Sequence, residues 1–199
     1  MLSSEGARLG DKAARRLVQS GCCRIEPGLT EAEFARIERE YGFEFADDHW
    51  AFLAAGLPVS SPAEEGQTWA QPWPNWRNGD PDQLRQHLDW PTEGVLFDVQ
   101  HGYWHDAWGV RPLVLKDAVA AATLHLAQVP RMIPIFAHRC LPAGRGTCGH
   151  PVLSIYQTDI IYYGNDLPDY IDREFGAREA NVGDRRNPQA TVPFWRDFL

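Results

Sequence analysis

Apolar residues recur with a helical period through the first part of the chain. Thr30 followed by Glu33 has the form of a capping box, and Phe34, Ile37 and Tyr41 then fall at i, i+3 and i+7, which predicts an amphipathic helix over 30–41. Asp47 or Asp48 can cap a second short helix carrying Trp50 and Leu53, with Gly56 just past its end. Asp80 and Pro81 suit the cap and first position of a third, which buries Leu84 and Leu88 and stops before Pro91. Residues 58–79 hold four prolines, two glycines and Trp69, Trp73 and Trp76, so they predict an ordered loop rather than a linker.

The pattern then changes. Gly94–Val99, Met132–Ala137, Val152–Tyr156 and Asp159–Tyr163 are short apolar runs rich in β-branched and aromatic residues, and they predict four strands. An Ala-rich helix is expected over Val114–Val129, stopped by Pro130, and a last one runs from a cap at Asp166 to Phe175. Only the first pair of strands has a helix between its members, so antiparallel pairing follows. The order predicts one α+β domain with a mainly antiparallel sheet of about four to six strands flanked by helices. Residues 27–176 form this body, behind an N-terminal extension, 1–26, that is partly helical. Leu9, Ala13, Leu17 and Val18 give the extension one weak amphipathic face, so residues 1–20 are expected to be dispensable for folding. In 177–199 a polar stretch precedes Val192, Phe194, Trp195 and Phe198, which are expected to dock back.

Composition narrows the function classes. With 199 residues, 44% of them hydrophobic, the chain can bury a good core. Nineteen Lys and Arg against 27 Asp and Glu give a net charge of −8, which opposes nucleic acid and favours a cationic partner. The start carries charge every few residues, unlike a secretory leader, and the longest apolar run, Ala118–Leu126, is broken by Thr123 and His125. It falls far short of the roughly 20 residues that span a bilayer. Four cysteines, with Cys22 and Cys23 adjacent, do not make a secreted disulfide framework, so a cytoplasmic location is expected.

Three stretches together carry a family likeness. The segment GLTEAEFARIEREYGFEFADDHWAFLAAGLPV resembles the opening of SUKH proteins, where a helix led by L-T-x-x-E precedes an aromatic Y/F-G-F-x-F turn and a short second helix. Ala46 and Asp47 stand where proline is commoner. GVLFDVQHGYWHDAWGVRP resembles the family's E-G-x-x-F-D-V run and aromatic W-x-x-x-W-G-x-R-P loop, and PVLSIYQTDIIYYGNDLPDYIDREF its penultimate hairpin and closing helix. The likeness covers roughly 27–176 and the terminal FWRDF. It implies a sheet flanked by helices, acting as a non-enzymatic protein-binding module without cofactor or catalytic residues. It further implies a monomeric or weakly dimeric bacterial immunity protein that neutralises a cognate toxin by direct binding. The alternative within the likeness is an intracellular scaffold in cell-wall or stress signalling.

Several clusters invite chemistry. His138, Cys140, Cys148 and His150 flank a glycine-rich loop and offer two soft and two nitrogen ligands for zinc, the alternative being a small zinc-dependent enzyme. The family has an aromatic residue in the place of Cys140, and this spacing is far from the usual zinc knuckle. The expectation is therefore no stoichiometric zinc, and a Cys140→Ser variant with nearly unchanged melting. Asp98, His101, His105 and Asp106 form a second candidate metal or acid–base cluster, read instead as a packed aromatic turn. Tyr156, Asp159, Tyr162 and Tyr163 are assigned to a strand pair, with Tyr156, Ile160 and Tyr162 or their neighbours buried and Asp159 in the turn. Eight tryptophans exceed what such a core readily encloses, so loop tryptophans are candidates for a partner surface. The predicted interface joins Trp73, Trp76, Trp104 and Trp108 with Glu64, Glu65, Asp80 and Asp106 on one acidic, aromatic face that meets a basic toxin.

Overall fold

The computed structural model describes residues 2–61, 66, 69, 71–176, 188 and 190–199. In chain order come α1 (Ser4–Ser20), β1 (Arg24–Glu26), α2 (Glu31–Tyr41), α3 (Asp47–Ala55), β2 (Leu57–Val59), α4 (Pro81–Gln100), α5 (Leu115–Leu126), β3 (Met132–Phe136), β4 (Arg139–Pro142), β5 (Val152–Tyr156), β6 (Asp159–Gly164) and α6 (Leu167–Phe175). β1 and β2 form a small antiparallel pair, and β3-β4-β5-β6 is an antiparallel meander. The fold is α+β, as the sequence predicts. No described helix is long and apolar enough to cross a membrane.

Local chemistry sets most helix ends. The Thr30 side chain accepts from the Glu33 amide while the Glu33 carboxylate accepts from the Thr30 amide, completing the capping box of α2. Asp166 and Asp80 accept from amides in the first turns of α6 and α4. Ala46, rather than Asp47 or Asp48, occupies the cap position of α3, and both aspartates turn inward.

The meander buries both faces, because alternate residues of one strand enter different cores. Ile133, Ile135, Leu141 and Val152 join the core built from α1, α2, α3 and α6. Met132, Cys140, Leu153 and Ile155 join a second core with Val95 and Leu126, and Val192 and Trp195 seal it. The Trp195 indole donates to the Pro130 carbonyl at 2.8 Å, so the C-terminal aromatics dock as expected.

One expected strand is corrected, and two further points are settled. Gly94–Val99 is not a strand but the second half of α4, which continues through the buried Pro91. Val95 and Val99 are buried four residues apart while Phe97 between them is exposed, a helical period that a five-residue window imitates as alternation. Residues 139–142, which fall outside the four expected strands, form β4, an inner strand paired with β3 and β5. Of Tyr156 and its neighbours, between which alternation left the buried face open, Ile155 is buried and Tyr156 is 52% exposed beside the β5–β6 turn, while Ile160 is buried.

The N-terminal extension is the largest departure. α1 packs across α3 and α6 with Leu9 buried and with Ala13 and Leu17 in the main core. The approach to α3 is so close that a Cβ on Gly10 would sit 2.4 Å from the Asp48 carbonyl oxygen and 2.5 Å from the Ala51 Cβ. Residues 1–20 therefore pack against the body, which speaks against the expectation that they are dispensable for folding. Gly10→Val should lower stability by about 1–3 kcal/mol through overpacking, whereas Asp11→Val on the exposed face should leave it within about 0.5 kcal/mol. Urea midpoints of the two variants test this.

Candidate functional site

The loop that enters the fold after β2 is held at several points. The Trp73 amide donates to Ser60 Oγ at 2.9 Å, and the Ala137 amide donates to the Pro72 carbonyl at 2.7 Å. Arg36 donates to the Trp76 carbonyl, while Arg77 pairs with Glu33 at 2.6 Å and donates to the Pro27 and Gly28 carbonyls. The Glu33 carboxyl is consequently held down at about 2, first by its bond from Arg77 and then by the Thr30 amide. The Asn75 Oδ1 accepts from the Asn78 amide and the Asn75 carbonyl from Gly79, which closes the turn into α4.

α4 presents Gln83, Gln86, His87 and Trp90 at i, i+3, i+4 and i+7, one face of a helix. Two of these are pinned by the meander. His87 Nε2 donates to the Ala137 carbonyl at 2.7 Å, and Trp90 Nε1 donates to the Ile155 carbonyl at 3.3 Å. Burial pushes the His87 pKa down to about 4, so the ring is neutral at physiological pH and its Nδ1 carries a lone pair. Trp69 lies over both, 4.6 Å from the His87 ring and 5.0 Å from Trp90 at an interplanar angle of 62°. The result is a cleft of about 380 Å³ between loop and helix, walled by Trp69, Trp90, Pro74 and Leu84, with Gln71, Asn75, Gln83, Gln86 and Asp80 around it. Clefts of ~300–1000 Å³ with apolar walls and a few polar groups are typical ligand sites.

The cleft has a one-sided electrostatic character. Asp80 is the single charged lining residue among those described. The nearby cations are turned elsewhere: Arg77 into Glu33 and Glu26, and Arg85 onto Asp82 with its guanidinium over the Tyr41 ring.

The predicted interface residues do not come together. Trp73 and Trp76 are 3% and 1% exposed, stacked on Phe175 and edge-on to Phe45, so they serve the core and are withdrawn as contact residues. Glu64 and Glu65 lie outside the described residues. Asp80 is exposed at the start of α4, whereas Trp104, Asp106 and Trp108 follow its end, and the intervening 20 residues span about 30 Å at 1.5 Å per residue. The single acidic, aromatic face therefore divides. Trp104 donates its indole N–H to the Gly109 carbonyl, and Trp108 stacks on His125 and Phe194, closing the turn against the C-terminus.

The candidate metal clusters divide in the same way, and no three His, Cys, Asp or Glu among the described residues gather to hold an ion. Cys140 points into the second core, where burial raises its thiol to about 12, while the Cys148 sulfur accepts from Ser3 Oγ at the α1 cap. The four residues of the zinc alternative, His138, Cys140, Cys148 and His150, therefore do not meet in the structure. Cys140→Ser places a hydroxyl in an apolar pocket and should cost about 1–3 kcal/mol, contrary to the unchanged melting expected. Cys148→Ser, at a half-buried position, is the comparison in thermal unfolding. Of the second cluster, Asp98 accepts from the Thr158 amide and hydroxyl at 2.9 and 2.7 Å, fixing the β5–β6 turn. His101 bonds the Phe97 carbonyl, and His105 caps the short turn Asp106–Trp108.

Sequence reasoning missed Trp69 and Trp90 as a pair, along with the four amides. The available signal was the i, i+3, i+4, i+7 spacing of Gln83, Gln86, His87 and Trp90, which lies inside the expected helix, but nothing local in the sequence brings Trp69 onto that face. No protein-family model matches the chain, and comparisons with curated proteins and with solved structures find no match either.

Proposed function

We propose that the chain is a non-enzymatic protein-binding module, an immunity protein that neutralises a basic bacterial toxin by occupying it. The observation that carries this reading is the cleft of Trp69 and Trp90, an aromatic anchor site with an acidic rim at Asp80 set against α4. Tryptophan in a preformed pocket is what hot spots at protein interfaces favour, and holding the loop in advance lowers the ordering cost of association. A net charge of −8 adds long-range attraction for a cationic partner. The ordered likeness of residues 27–176 to SUKH sequences supports the toxin as that partner.

The test is co-expression with the product of the adjacent gene. A stable one-to-one complex that abolishes a toxic activity of that product is expected. Separate elution of the two proteins, with toxicity undiminished, would defeat the reading. Association should slow as salt rises from 50 to 500 mM, since steering between unlike charges is screened.

A further inference from the structure

We propose that the cleft between Trp69 and Trp90 is a guanidinium site that takes an arginine side chain of the partner. This inference rests on the binding-module reading and names the group it recognises. Two indole rings meet at 62°, which offers one face for a planar cation to stack on and a second wall at its edge. Guanidinium is the weakly hydrated, planar cation that stacks on indole most readily, and it has five N–H donors to satisfy.

The lining supplies acceptors for those donors and nothing that repels them. Gln71, Gln83 and Gln86 line the cleft with amides whose carbonyl oxygens can accept, and Asp80 carries the negative charge. Asp80 accepts the Asp82 and Gln83 amides through Oδ1, which leaves Oδ2 for a ligand. The His87 ring is neutral, with its Nε2 proton committed to Ala137, so its remaining nitrogen is an acceptor as well. None of the described lining residues is a cation. An anion would find one carboxylate and no positive charge. A neutral sugar could use the same rings and amides but would gain nothing from Asp80, which makes a saccharide the competing outcome.

The experiment titrates the full chain with N-acetyl-arginine methylamide, its citrulline analogue, and glucose, following tryptophan indole N–H resonances by NMR. Arginine amide is expected to shift the Trp69 and Trp90 signals with millimolar affinity, and the neutral citrulline analogue to bind at least fivefold more weakly. Trp69→Ala should weaken arginine binding tenfold or more. Gln83→Arg, a change at an exposed helix position, should abolish it by placing a fixed cation in the cleft. Equal binding of arginine and citrulline amides, binding of glucose in place of arginine, no shift at 100 mM arginine amide, or retention of binding in Gln83→Arg would each overturn the proposal. If a protein partner is captured equally by wild type and both variants, the guanidinium site fails while the binding-module reading stands. If arginine amide binds as described but no partner is found, the reverse holds.

Discussion

Deletion of residues 1–20 should yield a chain that aggregates or unfolds non-cooperatively. α1 buries Leu9, places Ala13 and Leu17 in the main core and covers Ala51 and Phe52 of α3. Each large apolar side chain moved between core and water is worth about 1.5–3 kcal/mol, so the removed and newly exposed groups together exceed about 5 kcal/mol. That is a large part of the ~5–15 kcal/mol available to an ordinary domain. The deletion also removes Arg16, which pairs with Asp172 and donates to the Pro168 carbonyl at 3.0 Å, and Ser3, whose amide donates to the buried Asp47 carboxylate. Circular dichroism and size exclusion of the truncated chain are the measurements. A soluble, cooperative fold would show that the α1–α3 contact contributes far less than its burial implies.

Acid response is expected to split between two adjacent residues. His49 is fully enclosed, with neither ring nitrogen hydrogen-bonded among the described residues, and burial drives its pKa down from 6.5 to about 3. Asp48 beside it is raised by burial from 3.8 to about 6, even though the Gly149 amide donates to it at 2.8 Å. For His49 the unfolded chain binds the proton more tightly, so its contribution to stability is lost as pH falls from 6.5 towards 3. For Asp48 the folded chain binds the proton more tightly, so stability is gained as pH falls through 6 towards 4. Each slope is limited to about 1.4 kcal/mol per pH unit, and between pH 6 and 4 the two oppose each other.

Substitution separates these slopes. His49→Leu removes two orphaned buried nitrogens and should raise stability by roughly 1 kcal/mol at pH 7, with a growing advantage over wild type down to pH 4. Asp48→Asn keeps the titrating histidine but loses the compensating carboxyl, and its stability relative to wild type should fall over the same range. Urea unfolding at pH 7, 6, 5 and 4 reads both differences, and parallel pH curves for all three proteins would refute the assignment. The difference from wild type cancels groups common to all, including Glu33 and Asp47. Burial presses upward on the Asp47 carboxyl, but amides of Ser3 and Gly146 hold it below its ordinary value.

What the sequence made legible was short-range. The capping box of α2, the Asp80 and Asp166 caps and the β5–β6 hairpin depend on residues within a few positions of one another. What it hid depends on contacts far along the chain. β1 and β2 are three residues each and pair over more than 30 intervening positions, as Arg24 with Val59, so neither carries a period of its own. Pro91 marked a helix end locally, yet α4 passes through it. Its far half is held by the packing of Val95 and Val99 and by Gly94, where a Cβ would sit 2.9 Å from the Gln157 Cα. The tryptophans divide for the same reason: Trp73 and Trp69 stand four residues apart in one loop, and only the position of α4 and α6 assigns one to a core and the other to a cleft.

The clasp around α1 also dictates when the molecule can finish folding. Its partners include the loop that ends at Gly149 and the helix α6, whose contacts with α1 span about 150 residues: Ser3 reaches Cys148, and Arg16 reaches Pro168. A ribosome delivers α1 before these partners, so until they emerge the part of its apolar stripe that faces α6 waits uncovered. Late closure of so long a loop raises the contact order and slows the final step relative to the local helices and the meander. The nascent chain is therefore most prone to misassociation just before α6 emerges, and at that stage holdase chaperones would find an exposed apolar stripe to bind.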